Sequence, residues 1–373
     1  DSLFLTHVRP EKVNSLYAWG HVGIAITTVA ITWLYNRVMD LVSRITLLIG
    51  TQFILLLSIL LFRQLIPSDS AQASEWLYFG LVIWLRVCSR LSIMMFFSFA
   101  GDYFTSHDAK RLYSYIAGGL AVGDIIAGTL IRQSVSILGS ANMLYICIGF
   151  LAAGIGFSLY IHQIATPVTQ PENSSDTEIT TKTSLKEIIS QSYIGLVFLV
   201  VLIGLMCFVI IDFQMKIVAK NTYPNSTDLA IFFGNFYMYA GMLKIVFQFL
   251  VVEFLLRQFG IINCLMILPG IHAIMILVFY STGYGFFAGS TLLIIASANF
   301  FRIILSDSLD LPSRELLFLP LPSSIRVRAQ AIMGGMIIPF GQGISGLLII
   351  SLSTFGMLLF QYSLFVLFSA LGG

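Results

Sequence analysis

Long apolar runs separated by short polar segments make up most of the sequence. A helix that crosses the hydrocarbon core needs roughly 20 apolar residues, and unpaired backbone groups in lipid exclude most other spanning structures. The runs that meet this length lie near residues 14–35, 45–63, 76–100, 112–132, 141–162, 192–216, 229–252, 261–281, 284–305, 329–351 and 355–371. The pattern therefore predicts eleven membrane-spanning helices.

One long polar stretch interrupts this pattern between the fifth and sixth predicted spans. It begins QIATPVTQPENSSDTE and has the composition of a linker. We predict an N-terminal half over residues 1–162, a linker over 163–191 and a C-terminal half over 192–373. Because five spans precede the linker and six follow it, we expect two six-helix halves, with the first helix of the N-terminal half absent from this chain.

A repeated glycine-rich stretch indicates that the two halves are related. Residues 116–128 read IAGGLAVGDIIAG, and residues 332–346 read IMGGMIIPFGQGISG. Aligning their ends places Asp124 opposite Gln342. Parallel repeats are a property of one large fold of secondary transporters. The GxxxG spacing of Gly119 and Gly123 also predicts a close helix–helix contact at these two residues.

The composition agrees with a membrane protein and excludes several function classes. Hydrophobic residues make up 57% of the chain and charged residues only 10%, whereas soluble domains carry about 25% charged residues. The net charge of +2 does not indicate a nucleic-acid partner. The sequence has no P-loop, HExxH, GxSxG or zinc-ligand spacing, so we predict no catalytic residues, metal or cofactor.

Basic residues in the loops predict the orientation in the membrane. The loops on one side carry Arg37, Arg44, Lys110, Arg111, Lys182, Lys186, Arg257, Arg314, Arg326 and Arg328. The loops on the other side carry Arg9, Lys12, Arg132 and Lys220. This asymmetry places the linker and the C-terminus in the cytoplasm.

Ionisable residues within the predicted spans are candidate site residues, because each costs about 2.5–3.5 kcal/mol to insert and usually faces a cavity or a partner. Arg86 and Arg90 lie four residues apart on one helix face, where two like charges favour an anion nearby. Lys244 is isolated near the middle of its span. We predict that these three residues and Lys216 bind an anionic substrate; a structural charge network is the alternative.

A second group of residues is predicted to act in gating or as counter-charges. Asp212 and Lys216 have the spacing of an ion pair within one helix. Asp124 is expected at a helix–helix contact or a cavity wall, paired with an arginine such as Arg86 or Arg90. Its role would be in gating or on the substrate side, or else only as interhelical glue. Gln342, its counterpart, and Arg302, near the cytoplasmic end of its span, complete the group.

Several longer stretches resemble the nucleotide transporters of the ATP/ADP antiporter family. They are DSLFLT at the start, DYFTSHDAKRLYSYIAGGLAVGDIIAG, DFQMK at 212–216, FFGNFYMYAGMLKIVFQF and RELLFLPLPSSIRVRAQAIMGG. The resemblance covers nearly the whole chain and is closer to the wider bacterial group, in which some members are fused to soluble modules. It implies a major-facilitator-like fold, the bacterial cytoplasmic membrane, and Lys216 and Lys244 as matches to helix positions.

Together these observations predict an all-α integral membrane protein that moves an organic anion, such as a nucleotide, by alternating access. Its partners would be the lipid bilayer and the anionic substrate, with a soluble domain beyond Gly373 as a further candidate. Two other functions are compatible with the sequence. One is a membrane sensor or anchor coupled to soluble regulatory domains, and the other is a transporter of an unrelated solute.

Overall fold

The computed structural model describes residues 1–39, 42–67, 74–101, 106–164, 192–282, 290–310, 329 and 332–354. Its helices are α1 (Ser2–His7), α2 (Pro10–Met39), α3 (Arg44–Leu65), α4 (Glu75–Gly101), α5 (Ser106–Leu138), α6 (Met143–Ile164), α7 (Ser192–Thr222), α8 (Ser226–Leu250), α9 (Val252–Thr282), α10 (Thr291–Leu305) and α11 (Ile338–Thr354). Two π-helical segments, Ser306–Asp310 and Met333–Ile337, follow α10 and precede α11.

The predicted spans agree with these helices. Among the described residues, nine helical segments are long and apolar enough to cross a membrane. The eighth predicted span, 261–281, falls inside α9. The eleventh span, 355–371, and linker residues 165–191 lie outside the described residues. The predicted all-helical membrane bundle is confirmed, whereas the predicted division into domains stays a prediction.

Two long helix pairs join the N-terminal part of the chain to the C-terminal part, namely α5 with α8 and α2 with α11. Both pairs are close because a glycine faces a carbonyl group. A Cβ atom at Gly128 would lie 2.5 Å from the carbonyl oxygen of Gly234, and one at Gly346 would lie 2.5 Å from that of Ala18. Small residues of this kind allow membrane helices to approach closely.

These two glycines are the last residues of the repeated stretches, so the repeat supplies equivalent helix contacts in the two parts of the chain. The prediction that Gly119 and Gly123 form the close contact is wrong. A Cβ atom at either position would meet none of the described residues within 4 Å. The GxxxG spacing is present, but the helix turns its other face, which includes Gly128, toward α8.

Candidate functional site

One group of charged side chains joins α1, α2 and α4 to α7. We call it the Lys216 cluster, and its members are Asp1, Tyr17, Arg86, Asp212 and Lys216. The Lys216 ammonium is fully buried and lies 2.7 Å from Asp212 Oδ2 and 3.0 Å from Asp1 Oδ2. Tyr17 Oη donates a 2.8 Å hydrogen bond to the same Asp212 oxygen. Arg86 Nη2 lies 2.9 Å from Asp1 Oδ2.

The contact of Asp212 with Lys216 confirms the predicted ion pair within one helix, and both residues also contact Tyr17 of α2. Lys216 also donates to Tyr17 Oη at 3.3 Å, and its Nζ atom lies 5.3 Å from the Tyr17 ring centroid. Tyr17 therefore links α2 to both charges of α7. Because hydrogen bonds to charged groups are stronger than neutral ones, this link stabilises the contact between the two parts of the chain.

A second group, which we call the Lys244 cluster, joins α5 to α8 and to the segment after α10. Lys244 Nζ donates to Asp124 Oδ2 at 2.6 Å and to Asp307 Oδ2 at 2.8 Å. Lys244 is buried, whereas the Asp124 and Asp307 side chains are 38% and 53% exposed. The lysine predicted to be isolated therefore holds two carboxylates, and the predicted pairing of Asp124 with Arg86 or Arg90 is wrong.

Packing explains why Asp124 pairs with Lys244. Asp124 lies on the face of α5 that contacts α8, where its Cβ atom would be 3.1 Å from a Cβ atom at Gly241. Gly241 precedes Lys244 by about one helical turn. Arg86 extends from α4 toward Asp1 instead. The expectation that Asp124 lies at a helix–helix contact is thus confirmed.

The two clusters lie at different depths. Lys216 lies toward the C-terminal end of α7. Lys244 lies toward the C-terminal end of α8 and not near the middle of its span, as its position in the sequence predicted. These helices run in opposite directions because only residues 223–225 connect them. The C-terminal end of α7 is therefore on the opposite side of the membrane from that of α8, and the clusters lie on either side of the midplane.

The other predicted site residues stand apart from these ion pairs. Arg90 lies one turn beyond Arg86 on α4, is partly buried and forms no ion pair with another described residue. Gln342 is buried on α11, and its Oε1 atom has no hydrogen-bond partner among the described residues. Arg302 is 2% exposed and likewise forms no ion pair within the described ranges. The predicted gating roles of Gln342 and Arg302 stay predictions.

Tyr17 is a site residue that the sequence alone does not indicate. It occurs in an aromatic-rich helix start, and tyrosine is common near membrane interfaces, so its position carries no distinctive signal. Its role depends on Asp212, a residue far away in the sequence. Only the packing of α2 near α7 brings the two side chains together.

We expect Tyr17→Phe to lower the free energy of unfolding by about 1–3 kcal/mol, because it removes a buried hydrogen bond to a charged group. Thermal unfolding in detergent measures the change. Tyr239→Phe is the matched control, since Tyr239 is exposed on α8. Equal effects of the two substitutions would show that the Tyr17 hydroxyl does not stabilise the cluster.

Comparisons with known proteins agree with this architecture. A sequence model of the TLC ATP/ADP transporter family matches residues 157–368. ADP,ATP carrier protein 1 of Chlamydia pneumoniae is 23% identical over 283 residues, which cover 67% of this chain and 55% of that protein. ADP,ATP carrier protein 3 of Rickettsia felis is 25% identical over 309 residues, which cover 73% of this chain and 62% of that protein.

Among solved structures, the crystal structure of the nucleoside transporter NupG is similar, with a TM-score of 0.62. The alignment covers 96% of this chain and 90% of that chain at 14% sequence identity, which is a likeness of fold. The chain spans 55% and 62% of the length of the two carrier proteins.

Proposed function

Because this chain belongs to the TLC ATP/ADP transporter family, we propose that it is a secondary transporter that exchanges nucleotides across a bacterial cytoplasmic membrane. The two similar proteins of Chlamydia pneumoniae and Rickettsia felis are named ADP,ATP carrier proteins. The orientation that we propose follows the loop charges and places residues 165–191 and Gly373 in the cytoplasm. The Lys216 cluster then lies toward the outer side and the Lys244 cluster toward the inner side.

The observation that carries this proposal is that both clusters join the N-terminal part of the chain to the C-terminal part. The Lys216 cluster connects Tyr17 and Arg86 to Asp212, and the Lys244 cluster connects Asp124 to Lys244. Alternating access requires two parts of a bundle to separate on one side of the membrane at a time. Breaking one cluster while the other stays intact would open the protein to one side only.

The chemistry of the clusters suits an anionic substrate. Arg86, Lys216 and Lys244 are cations at membrane depth, and each is held by carboxylates. A substrate phosphate would replace a carboxylate as the partner, with arginine binding as a planar fork and lysine as a point charge. Asp212 and Asp124 would then act as counter-charges that pair with the lysines when the substrate is absent.

Nucleotide exchange is tested by uptake into liposomes that contain the purified protein. We expect labelled ATP to enter liposomes loaded with ADP, and we expect little uptake into liposomes without internal nucleotide. We expect Lys244→Gln to lower uptake by about ten- to a hundredfold, because it removes a charge-assisted contact to the substrate and releases two carboxylates.

Arg63→Gln is the control for the loss of a cation, because Arg63 contacts Asn142 and lies outside both clusters. This variant should exchange nucleotide at the wild-type rate. Wild-type exchange by the Lys244→Gln variant would remove Lys244 from the substrate site. Folded protein that moves no nucleotide under any loading would refute the proposed exchange.

A further inference from the structure

Arg302 is a buried cation that forms no direct ion pair with a carboxylate within the described part of the chain. Its guanidinium lies 3.6 Å above the ring centroid of Phe208, and its Nε atom donates a 2.6 Å hydrogen bond to Asn299 Oδ1. Asn299 is itself held in place, because its side-chain nitrogen donates to the Met215 sulfur at 2.9 Å. The Nη1 atom of Arg302 is buried and has no hydrogen-bond partner among the residues that the structure describes.

This arrangement is unusual because a buried charge is normally paired and hydrogen-bonded. The aromatic ring compensates part of the charge through a cation–π contact, and Asn299 satisfies one of the five donors that arginine carries. These contacts fix the plane of the guanidinium and leave Nη1 pointing at no protein acceptor among the described residues. Such a group is preorganised for an acceptor that the described residues do not supply.

The position of Arg302 is between the two clusters. Phe208, which it covers, lies at the middle of α7 and precedes Asp212 by one helical turn. In the other direction Arg302 is followed by Asp307, a member of the Lys244 cluster, in the π-helical segment. Arg302 therefore lies near the membrane midplane and not near the cytoplasmic end of its span, as its position in the sequence predicted. Transporters of this fold class bind substrate at the midplane.

We propose that Arg302 binds the anionic group of the substrate at the midplane through Nη1. This inference rests on the proposed function and adds a residue and a location to it. At 2% exposure the side chain is closed off from both sides, so an anion reaches Arg302 only after one of the two clusters has separated. The substrate then supplies the acceptor that Arg302 lacks, which makes the contact strongest in the closed, loaded protein.

Arg302→Met separates this role from a structural one, because the two roles predict opposite changes in stability. Arg302 has no direct ion-pair partner among the described residues, so an apolar side chain of similar length removes the cost of burying its charge. We expect the ligand-free variant to melt at the wild-type temperature or above. We also expect its affinity for ADP, pyrophosphate and inorganic phosphate to fall about ten- to a hundredfold, since a charge-assisted contact is lost. Thermal unfolding in detergent with increasing amounts of each anion measures both quantities.

Two further variants control this experiment. Arg63→Met makes the same substitution at an arginine outside both clusters, and it should leave anion binding unchanged. Arg302→Lys keeps the positive charge but loses the fork that reaches Asn299 and an anion together. We expect about tenfold weaker anion binding in this variant. If the methionine variant does not fold, this measurement tests by itself whether Arg302 binds the anion.

Wild-type affinity in either Arg302 variant, or a wild-type protein that none of the three anions stabilises, would overturn the proposal. Failure of this inference and failure of nucleotide exchange give different results. ATP/ADP exchange at the wild-type rate by Arg302→Met would refute the role of Arg302 and leave the proposed transport standing. Binding of phosphate or pyrophosphate that depends on Arg302, without any nucleotide uptake, would support the anion site and refute nucleotide exchange.

Discussion

Replacing Lys216 with methionine is expected to lower the free energy of unfolding by about 3–5 kcal/mol, because it leaves a buried carboxylate without its cation. Asp212 is 4% exposed, and its Oδ2 atom lies 2.7 Å from Lys216 Nζ. Tyr17 continues to donate to this oxygen, but a neutral hydroxyl does not compensate a full charge. Chemical unfolding in detergent micelles, followed by circular dichroism, measures the change.

The double variant Asp212→Leu with Lys216→Met is the control for this effect. It removes both charges and replaces them with apolar side chains of similar size, so most of the lost stability should return. The double-mutant cycle isolates the coupling between the two residues. If the single and double variants were equally unstable, the cost would come from packing around Lys216 rather than from the unpaired carboxylate.

The fold was largely predictable from the sequence because its main signal is local. A membrane-spanning helix must satisfy its own backbone groups and present apolar side chains over its whole length, so runs such as 192–216 indicate a helix without any knowledge of its neighbours. The residues at which the helices begin and end were less predictable. α7 continues to Thr222 and α9 begins at Val252, because polar residues at the ends of a run remain helical in the headgroup region.

The candidate site was predictable only in part. The spacing of Asp212 and Lys216 is enough to predict their ion pair, since residues four apart share a helix face. The contacts of Lys244 with Asp124 and Asp307 are not readable in the same way, because they join residues that are 120 and 63 positions apart. Which buried cation meets which carboxylate depends on how the helices rotate about their axes, and a uniformly apolar helix carries little sequence signal for that rotation.

The repeated glycines also show that the sequence does not indicate which face of a helix makes a contact. The repeat correctly indicated that residues 116–128 and 332–346 serve similar purposes, yet Gly119 and Gly123 do not form the contact that their spacing predicts. Several small residues occur on different faces of α5, and the sequence does not say which face meets another helix. The glycines that meet a backbone are Gly128 and Gly346, at the shared end of the repeat.

Gly128→Val is expected to destabilise the protein by about 3 kcal/mol or more, near or above the upper end of typical overpacking costs. A Cβ atom at Gly128 would lie 2.5 Å from the Gly234 carbonyl oxygen and 2.8 Å from the backbone nitrogen of Met238. Backbone atoms cannot rotate away as a side chain can, so α5 and α8 would have to separate. Thermal unfolding in detergent and the yield of folded protein measure the effect.

Gly119→Val is the matched control, because it makes the same substitution in the same helix at a position where a Cβ atom would meet none of the described residues within 4 Å. It should be neutral or slightly stabilising, since valine favours a helix more than glycine does. Gly346→Val should be as damaging as Gly128→Val, because a Cβ atom there would meet the Ala18 carbonyl oxygen at the same 2.5 Å. A Gly128→Val protein as stable as Gly119→Val would show that α5 and α8 are not held at this distance. Damage from both Gly128→Val and Gly346→Val would show that the repeat sets the two helix contacts between the parts of the chain.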